Sequence, residues 1–222
     1  MPASDYWDLI AKSRESPLLA LIYRMPPRFW REISNVQNEL RAIDPRHLFA
    51  NPSTLHITVK VLSVLGENID PQHLETLFVR SQRVLHGFRS FEVTFRGLGI
   101  FPTSIYVRVE DRLDQLRLIN KRIIAEFGNQ VERGRYDGDS YVPHVTIATF
   151  NTREAPELIS KLKTKEMQEI DFGNASVFEL EAVEARMYLL LGPEDTQDQG
   201  FQYLRTLHFS SERKGLKFST QN

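Results

Sequence analysis

Two short segments, Leu55-His56-Ile57-Thr58-Val59 and Pro143-His144-Val145-Thr146-Ile147, constrain this chain more than anything else in it. Each is a His-x-Thr triplet with an apolar residue at x and another just after the threonine, set in a run that reads as a β-strand. Residues two apart in a strand point to the same side of the sheet. Each segment therefore presents an imidazole and a hydroxyl side by side on one face and anchors its apolar residues on the other. The two histidines are 88 residues apart, one in each half of the chain. That placement predicts a duplicated lobe whose two copies face each other across a cleft. The remaining histidines set the pair apart. His47, His73 and His86 have no hydroxyl two positions on. His208 has Ser210, but Ser211 follows where the motifs have an apolar residue, and His208 reads as structural.

In the first half the pattern is strand, helix, motif strand, helix, with a related order later in the chain. Leu18 to Tyr23 is an apolar strand, and Phe29, Ile33, Val36 and Leu40 form one stripe of a helix. The first motif strand runs from Leu55 to Val64. Asp70-Pro71 then supplies an N-cap and a favoured first helical residue, for a helix with Leu74, Leu77, Phe78, Ser81 and Leu85 inward. Phe91, Val93 and Phe95 alternate with polar residues, as do Ile105, Val107 and Val109. Asp111 caps a helix through Leu116, Ile123 and Phe127 that stops at Gly128. Residues 129–140 read as a loop, 155–163 as a short helix, 168–191 and 201–209 as strands, and 192–200 as an acidic loop. Residues 4–14 read as a short helix in an N-terminal extension, 1–17, ahead of a single domain, 18–222.

Composition removes several classes. The chain has 41% apolar and 26% charged residues, ordinary values for a globular protein of 222 residues. Its net charge of −1 gives no global basic field for extended duplex nucleic acid. With no cysteine there is no disulfide, thiol nucleophile or Cys-ligated zinc, which suits a reducing compartment. A signal peptide and a membrane-spanning run are both missing from the pattern, so a cytoplasmic protein, without membrane partners and monomeric, is the expectation.

The paired motifs, His56-Ile57-Thr58-Val59 and His144-Val145-Thr146-Ile147, resemble the signature of the two-histidine phosphoesterases, a group that includes the RNA 2′,3′-cyclic phosphodiesterases, also called 2′-5′ RNA ligases. Leu55 before the first histidine, Tyr141-Val142-Pro143 before the second, and Phe101-Pro102 leading into Ile105-Tyr106-Val107 match as well. Ala185 to Leu190 and Tyr203 to Leu207 look like that family's closing strands. The resemblance spans residues 18–209. It implies an α+β bilobal fold with a pseudo-two-fold, two mainly antiparallel sheets, helices packed outside and a central cleft.

The resemblance also implies a reaction: metal-independent opening of a 2′,3′-cyclic phosphate on RNA or a nucleotide to a 2′-phosphate, with no cofactor. Imidazole titrates near neutral pH, so His56 and His144 suit the paired roles of base for water and acid for the departing oxygen. The residues leave open which takes which role. Thr58 and Thr146 are positioned to donate to the non-bridging oxygens. Thr149 stands where members often carry an arginine, five residues after the second histidine, and Ser63 where they often carry glycine. Lys60 shares a face with His56 and Thr58 by strand alternation and is the expected replacement cation. Phe101, Tyr106 and Tyr141 are the candidates for stacking on a substrate base. The partner is then a nucleotide or RNA end bearing a cyclic phosphate or a 2′-5′ linkage. Alternative activities for the same residues are a 2′-5′ oligonucleotide phosphodiesterase or ligase, a 3′-5′ RNA end-trimming exonuclease, and a non-catalytic nucleotide- or RNA-binding module.

Overall fold

The computed structural model describes residues 17–64, 70–131, 134, 137–152, 155–190, 197 and 199–210. The N-terminal helix expected at 4–14 and most of the acidic loop at 192–200 lie outside them. Nine strands form one sheet: β1 (Leu18–Arg24), β2 (Leu48–Phe49), β3 (His56–Val64), β4 (Phe91–Phe101), β5 (Ser104–Glu110), β6 (His144–Thr149), β7 (Asp171–Val177), β8 (Glu179–Ala185) and β9 (Phe201–His208). The order across the sheet is β7-β4-β5-β6-β3-β1-β8-β9, with β2 paired to β6. Every pairing is antiparallel. The two sheets anticipated from the sequence are thus the two halves of one, joined where β3 meets β6 at the pair Ile57–Val145.

The helices follow their predicted faces. Helix α1 (Trp30–Ile43) buries Ile33, Val36 and Leu40, and α2 (Pro71–Leu85) buries Leu77, Phe78, Ser81 and Leu85. Asp70 accepts from the Gln72 amide with Pro71 at the first helical position, as the Asp-Pro pair predicts. Helix α3 (Gln115–Phe127) buries Leu116, Ile119, Ile123 and Phe127. Asp111 caps it from a turn further upstream, its carboxylate accepting from Leu116 N at 2.7 Å. Two short helices, α4 (Pro156–Leu162) and α5 (Lys165–Glu169), precede β7. Met187–Leu190, expected to extend a closing strand, is instead a short helix, α6. The reason is local: the run lacks period-two alternation, and Leu189 N and Leu190 N turn back onto the Arg186 carbonyl.

One large apolar core lies between the sheet and the helices and takes in Leu19, Leu21, Ile57, Val59, Val107, Val145 and Ile147. Burying a side chain such as Ile57 contributes about 1.5–3 kcal/mol, so the inward residues fix which way each motif strand faces. Both motif strands then bulge at matching places. Leu21 pairs with Lys60 but Ile22 with Thr58, leaving Val59 as the extra residue. Ile105 pairs with Ala148 but Tyr106 with Thr146, leaving Ile147. A buried amide from each half's helix reaches across the seam to the freed carbonyl. Gln37 Nε2 donates to Ile147 O at 2.9 Å, and Asn120 Nδ2 to Val59 O at 2.9 Å. Among the described residues no helix is long and apolar enough to cross a membrane.

Candidate active site

Continuing the antiparallel register one residue either side of Ile57–Val145 sets His56 opposite Thr146 and Thr58 opposite His144. The neighbouring strands extend both rows. Arg24 pairs with His56, and Ile22 with Thr58. Arg108 pairs with His144, and Tyr106 with Thr146. The face away from the helices therefore carries two rows of four: Tyr106, Thr146, His56, Arg24, and Arg108, His144, Thr58, Ile22. Directly opposed side chains in such a ladder stand about 5 Å apart at Cβ. The four motif side chains converge on one patch.

The imidazoles are held alike. His56 Nδ1 lies 2.7 Å from Thr54 O, and His144 Nδ1 lies 2.8 Å from Val142 O, in each case a carbonyl two residues upstream. A carbonyl only accepts, so Nδ1 carries the hydrogen on both rings and Nε2 keeps its lone pair. His56 Nε2 is 3.0 Å from Thr58 Oγ1, which donates to it. Each ring also meets an aromatic edge-on. Phe201 lies 4.8 Å from His56, and Phe101 lies 4.9 Å from His144. Burial lowers both histidine pKa values. His56 falls to about 4, chiefly through burial; the Thr54 carbonyl works against the shift, and repulsion from His144 and Arg24 adds to it. His144 is lowered by burial alone, against the Val142 carbonyl. Two imidazoles whose Nε2 atoms are the basic positions, that of His56 shared with the Thr58 hydroxyl, can take up one proton and relay another.

Of the residues named from the sequence, His56, Thr58, His144, Thr146, Tyr106 and Phe101 come together. Tyr106 and Phe101 stack at 4.2 Å and flank His144. Two do not. Lys60 faces the helices, because the bulge at Val59 inverts the alternation just after Thr58. It is 3% exposed and its Nζ lies 2.5 Å from Asp137 Oδ2, so it is no phosphate ligand. Tyr141 is equally unsuited to stacking: it is buried, and its hydroxyl donates to Thr58 O at 2.9 Å. Burial and the Asp137 and Asp111 carboxylates raise its pKa further above the phenol value. Thr149, at the place of the absent arginine, is buried beyond the second bulge. Residues missed were Arg24, Arg108 and Phe201. Alternation already put Arg108 on the face of Tyr106; what the sequence withheld was the strand pairing that sets it beside His144.

A half-barrel of antiparallel strands with a His-x-Thr from each half on one face is the architecture of a two-histidine phosphoesterase. Comparison with known proteins narrows the class. The chain belongs to the 2′-5′ RNA ligase superfamily, whose family model matches residues 25–184. Over 152 residues it is 28% identical to a protein named RNA 2′,3′-cyclic phosphodiesterase from Methanothermobacter thermautotrophicus, covering 67% of this chain and 78% of that one. The fold is shared with LigT of E. coli in complex with 3′-AMP (TM-score 0.63, 13% identity, 89% of this chain and 100% of that one). It is shared also with TT0787 of Thermus thermophilus (0.61, 16%, 88% and 99%) and, less closely, with Usb1 of Kluyveromyces marxianus (0.51, 14%, 88% and 99%).

Proposed function

We propose that this chain hydrolyses the 2′,3′-cyclic phosphate of a nucleotide or RNA end to a 2′-phosphate. The observation that carries the reading is the Ile57–Val145 register, which puts both imidazoles and both threonine hydroxyls around one patch. The name of the archaeal relative and the 3′-AMP in the LigT complex point the same way. In this reaction a water attacks phosphorus and the bond from phosphorus to O3′ breaks. Nε2 of one histidine takes the water's proton, and Nε2–H of the other gives a proton to O3′. The anionic phosphodiester itself raises the proton affinity of the pair when it binds. Thr146, and Thr58 once its hydroxyl turns from His56 Nε2 to the substrate, donate to the non-bridging oxygens, where charge grows in the transition state. The substrate base stacks on Tyr106 and Phe101.

The test is incubation with nucleoside 2′,3′-cyclic phosphates and 2′-5′-linked dinucleotides in EDTA, with product identification. Formation of a 2′-phosphate, unaffected by EDTA and lowered at least a thousandfold in His56→Ala and in His144→Ala, is the expected outcome. Cleavage confined to 2′-5′ linkages would move the assignment to that activity. Binding of the whole panel without turnover would leave a nucleotide-binding module.

A further inference from the structure

The pseudo-two-fold relating the two rows is broken at two linked positions. Rotation about the Ile57–Val145 pair exchanges His56 with His144, Thr58 with Thr146, and Arg24 with Arg108. The same operation exchanges Ile22 with Tyr106. It also exchanges Glu181, the β8 partner of Ile22, with Gly99, the β4 partner of Tyr106. On the first half, Glu181 neutralises Arg24, accepting from its Nε at 3.1 Å and its Nη2 at 2.8 Å. On the second half the matching residue has no side chain. A Cβ on Gly99 would sit 2.3 Å from Tyr106 Cζ, so the ring lies directly against the glycine backbone.

Arg108 therefore lacks the carboxylate that its mate has. Its exposed guanidinium donates instead to a neutral amide, Gln168 Oε1 on α5, and among the described residues it makes no ion pair. Gln168 is itself fixed, its Nε2 donating to Leu162 O at 2.6 Å and Leu98 O at 3.2 Å. Glu110, two residues along the same face, bears on Arg96, which is paired with Asp171. An amide orients a guanidinium without cancelling its charge. Because Gln168 also reaches Leu98 of β4, it holds the guanidinium on the β4 side, beside Gly97 and away from the seam between the histidines.

We propose that Arg108 binds a second phosphate, the one on the 5′ side of the nucleoside whose cyclic phosphate lies between His56 and His144. The inference rests on the cyclic phosphodiesterase reading above. A nucleoside stacked on Tyr106 and Phe101 turns its 2′,3′ edge toward the histidines and its 5′ carbon away from them, toward the guanidinium. The substrate class is then an oligonucleotide end, in preference to a lone nucleoside cyclic phosphate. Bidentate recognition of phosphate is the chemistry that an oriented, unpaired arginine suits best.

The test compares kcat/KM for adenosine 2′,3′-cyclic phosphate with that for the dinucleotide ApA ending in a 2′,3′-cyclic phosphate, in wild type, Arg108→Gln and Arg108→Lys. Expected is a wild-type preference for the dinucleotide of about tenfold or more, lost in Arg108→Gln and partly kept in Arg108→Lys. No wild-type preference, or equal losses on both substrates in Arg108→Gln, would overturn it. Should neither substrate turn over, the hydrolase reading falls, and calorimetry decides on Arg108 alone. Adenosine 2′,5′-bisphosphate should then bind wild type more tightly than adenosine 2′-monophosphate, and Arg108→Gln should erase the difference. Equal binding of the two by wild type refutes the second phosphate site.

Discussion

Replacing His56 with glutamine should make the protein more tolerant of acid even as it abolishes turnover. In the folded chain the imidazole is pushed from 6.5 to about 4, chiefly by burial, whereas in the unfolded chain it keeps its ordinary value. Between those two values the unfolded chain binds a proton that the folded chain does not, so acidification favours unfolding. Stability tied to this group is complete above about pH 7 and is lost as pH falls toward 4. At about 1.4 kcal/mol per pH unit, the loss is about 2 kcal/mol between pH 7 and pH 5 and about 3 kcal/mol by pH 4. His144 shifts the same way, but through burial rather than through His56, so its share persists in the variant. Urea unfolding of wild type and His56→Gln at pH 7, 5 and 4, in phosphate-free buffer, isolates the difference. A wild-type curve that falls about 3 kcal/mol further than the variant's by pH 4 supports the neutral, sequestered imidazole. Parallel curves would show that the ring titrates as freely as in water, and the account of His56 as a neutral imidazole would go with it.

Four further outcomes follow from particular contacts. Lys60→Met should cost about 3 kcal/mol by leaving Asp137 without its buried cation, while KM for a cyclic nucleotide measured on the folded protein stays unchanged. Tyr141→Phe removes only the hydrogen bond to Thr58 O, so thermal unfolding should report about 1 kcal/mol of destabilisation, and any kinetic loss should fall on kcat rather than KM. Gly99→Ala drives a methyl into the Tyr106 ring, and should raise KM for nucleotides several-fold while leaving hydrolysis of a base-free phosphodiester unaffected. Asn120→Leu strands the Val59 carbonyl and should cost about 2–3 kcal/mol in urea unfolding, more than a surface amide would.

The sequence disclosed the elements whose signals are local. Alternation in Phe91–Phe95 and Ile105–Val109, the Asp70-Pro71 start and the Gly128 stop each mark a boundary through nearest neighbours, and the strands and helices lie there. The two His-x-Thr triplets were legible for the same reason: period two inside a short strand needs no knowledge of the partner strand. Lys60 was misread because a bulge depends on long-range pairing. Nothing in the run Thr58-Val59-Lys60-Val61 announces that Val59 will be skipped, and one skipped residue turns the next side chain to the opposite face. Tyr141 was misread because its aromatic ring carries no mark of whether its hydroxyl is wanted in the interior. Arg24 and Arg108 differ only in their neighbours, Glu181 and Gln168, which lie 157 and 60 residues away in the chain.

The strand order also bears on how the molecule assembles. One half of the sheet, β4 to β7, is drawn from the continuous stretch 91–177, whereas the other joins β1 and β3 to β8 and β9 from the far end. The Ala20–Val183 pairing closes a loop longer than two thirds of the chain, the kind of contact that forms slowly. As the chain emerges from the ribosome, the inserted half can therefore complete itself while β1, which flanks the first histidine's strand, still has an open edge. That edge is closed only when the last strands arrive, so the synthesis of an intact catalytic face ends with the residues most distant from the motif they secure.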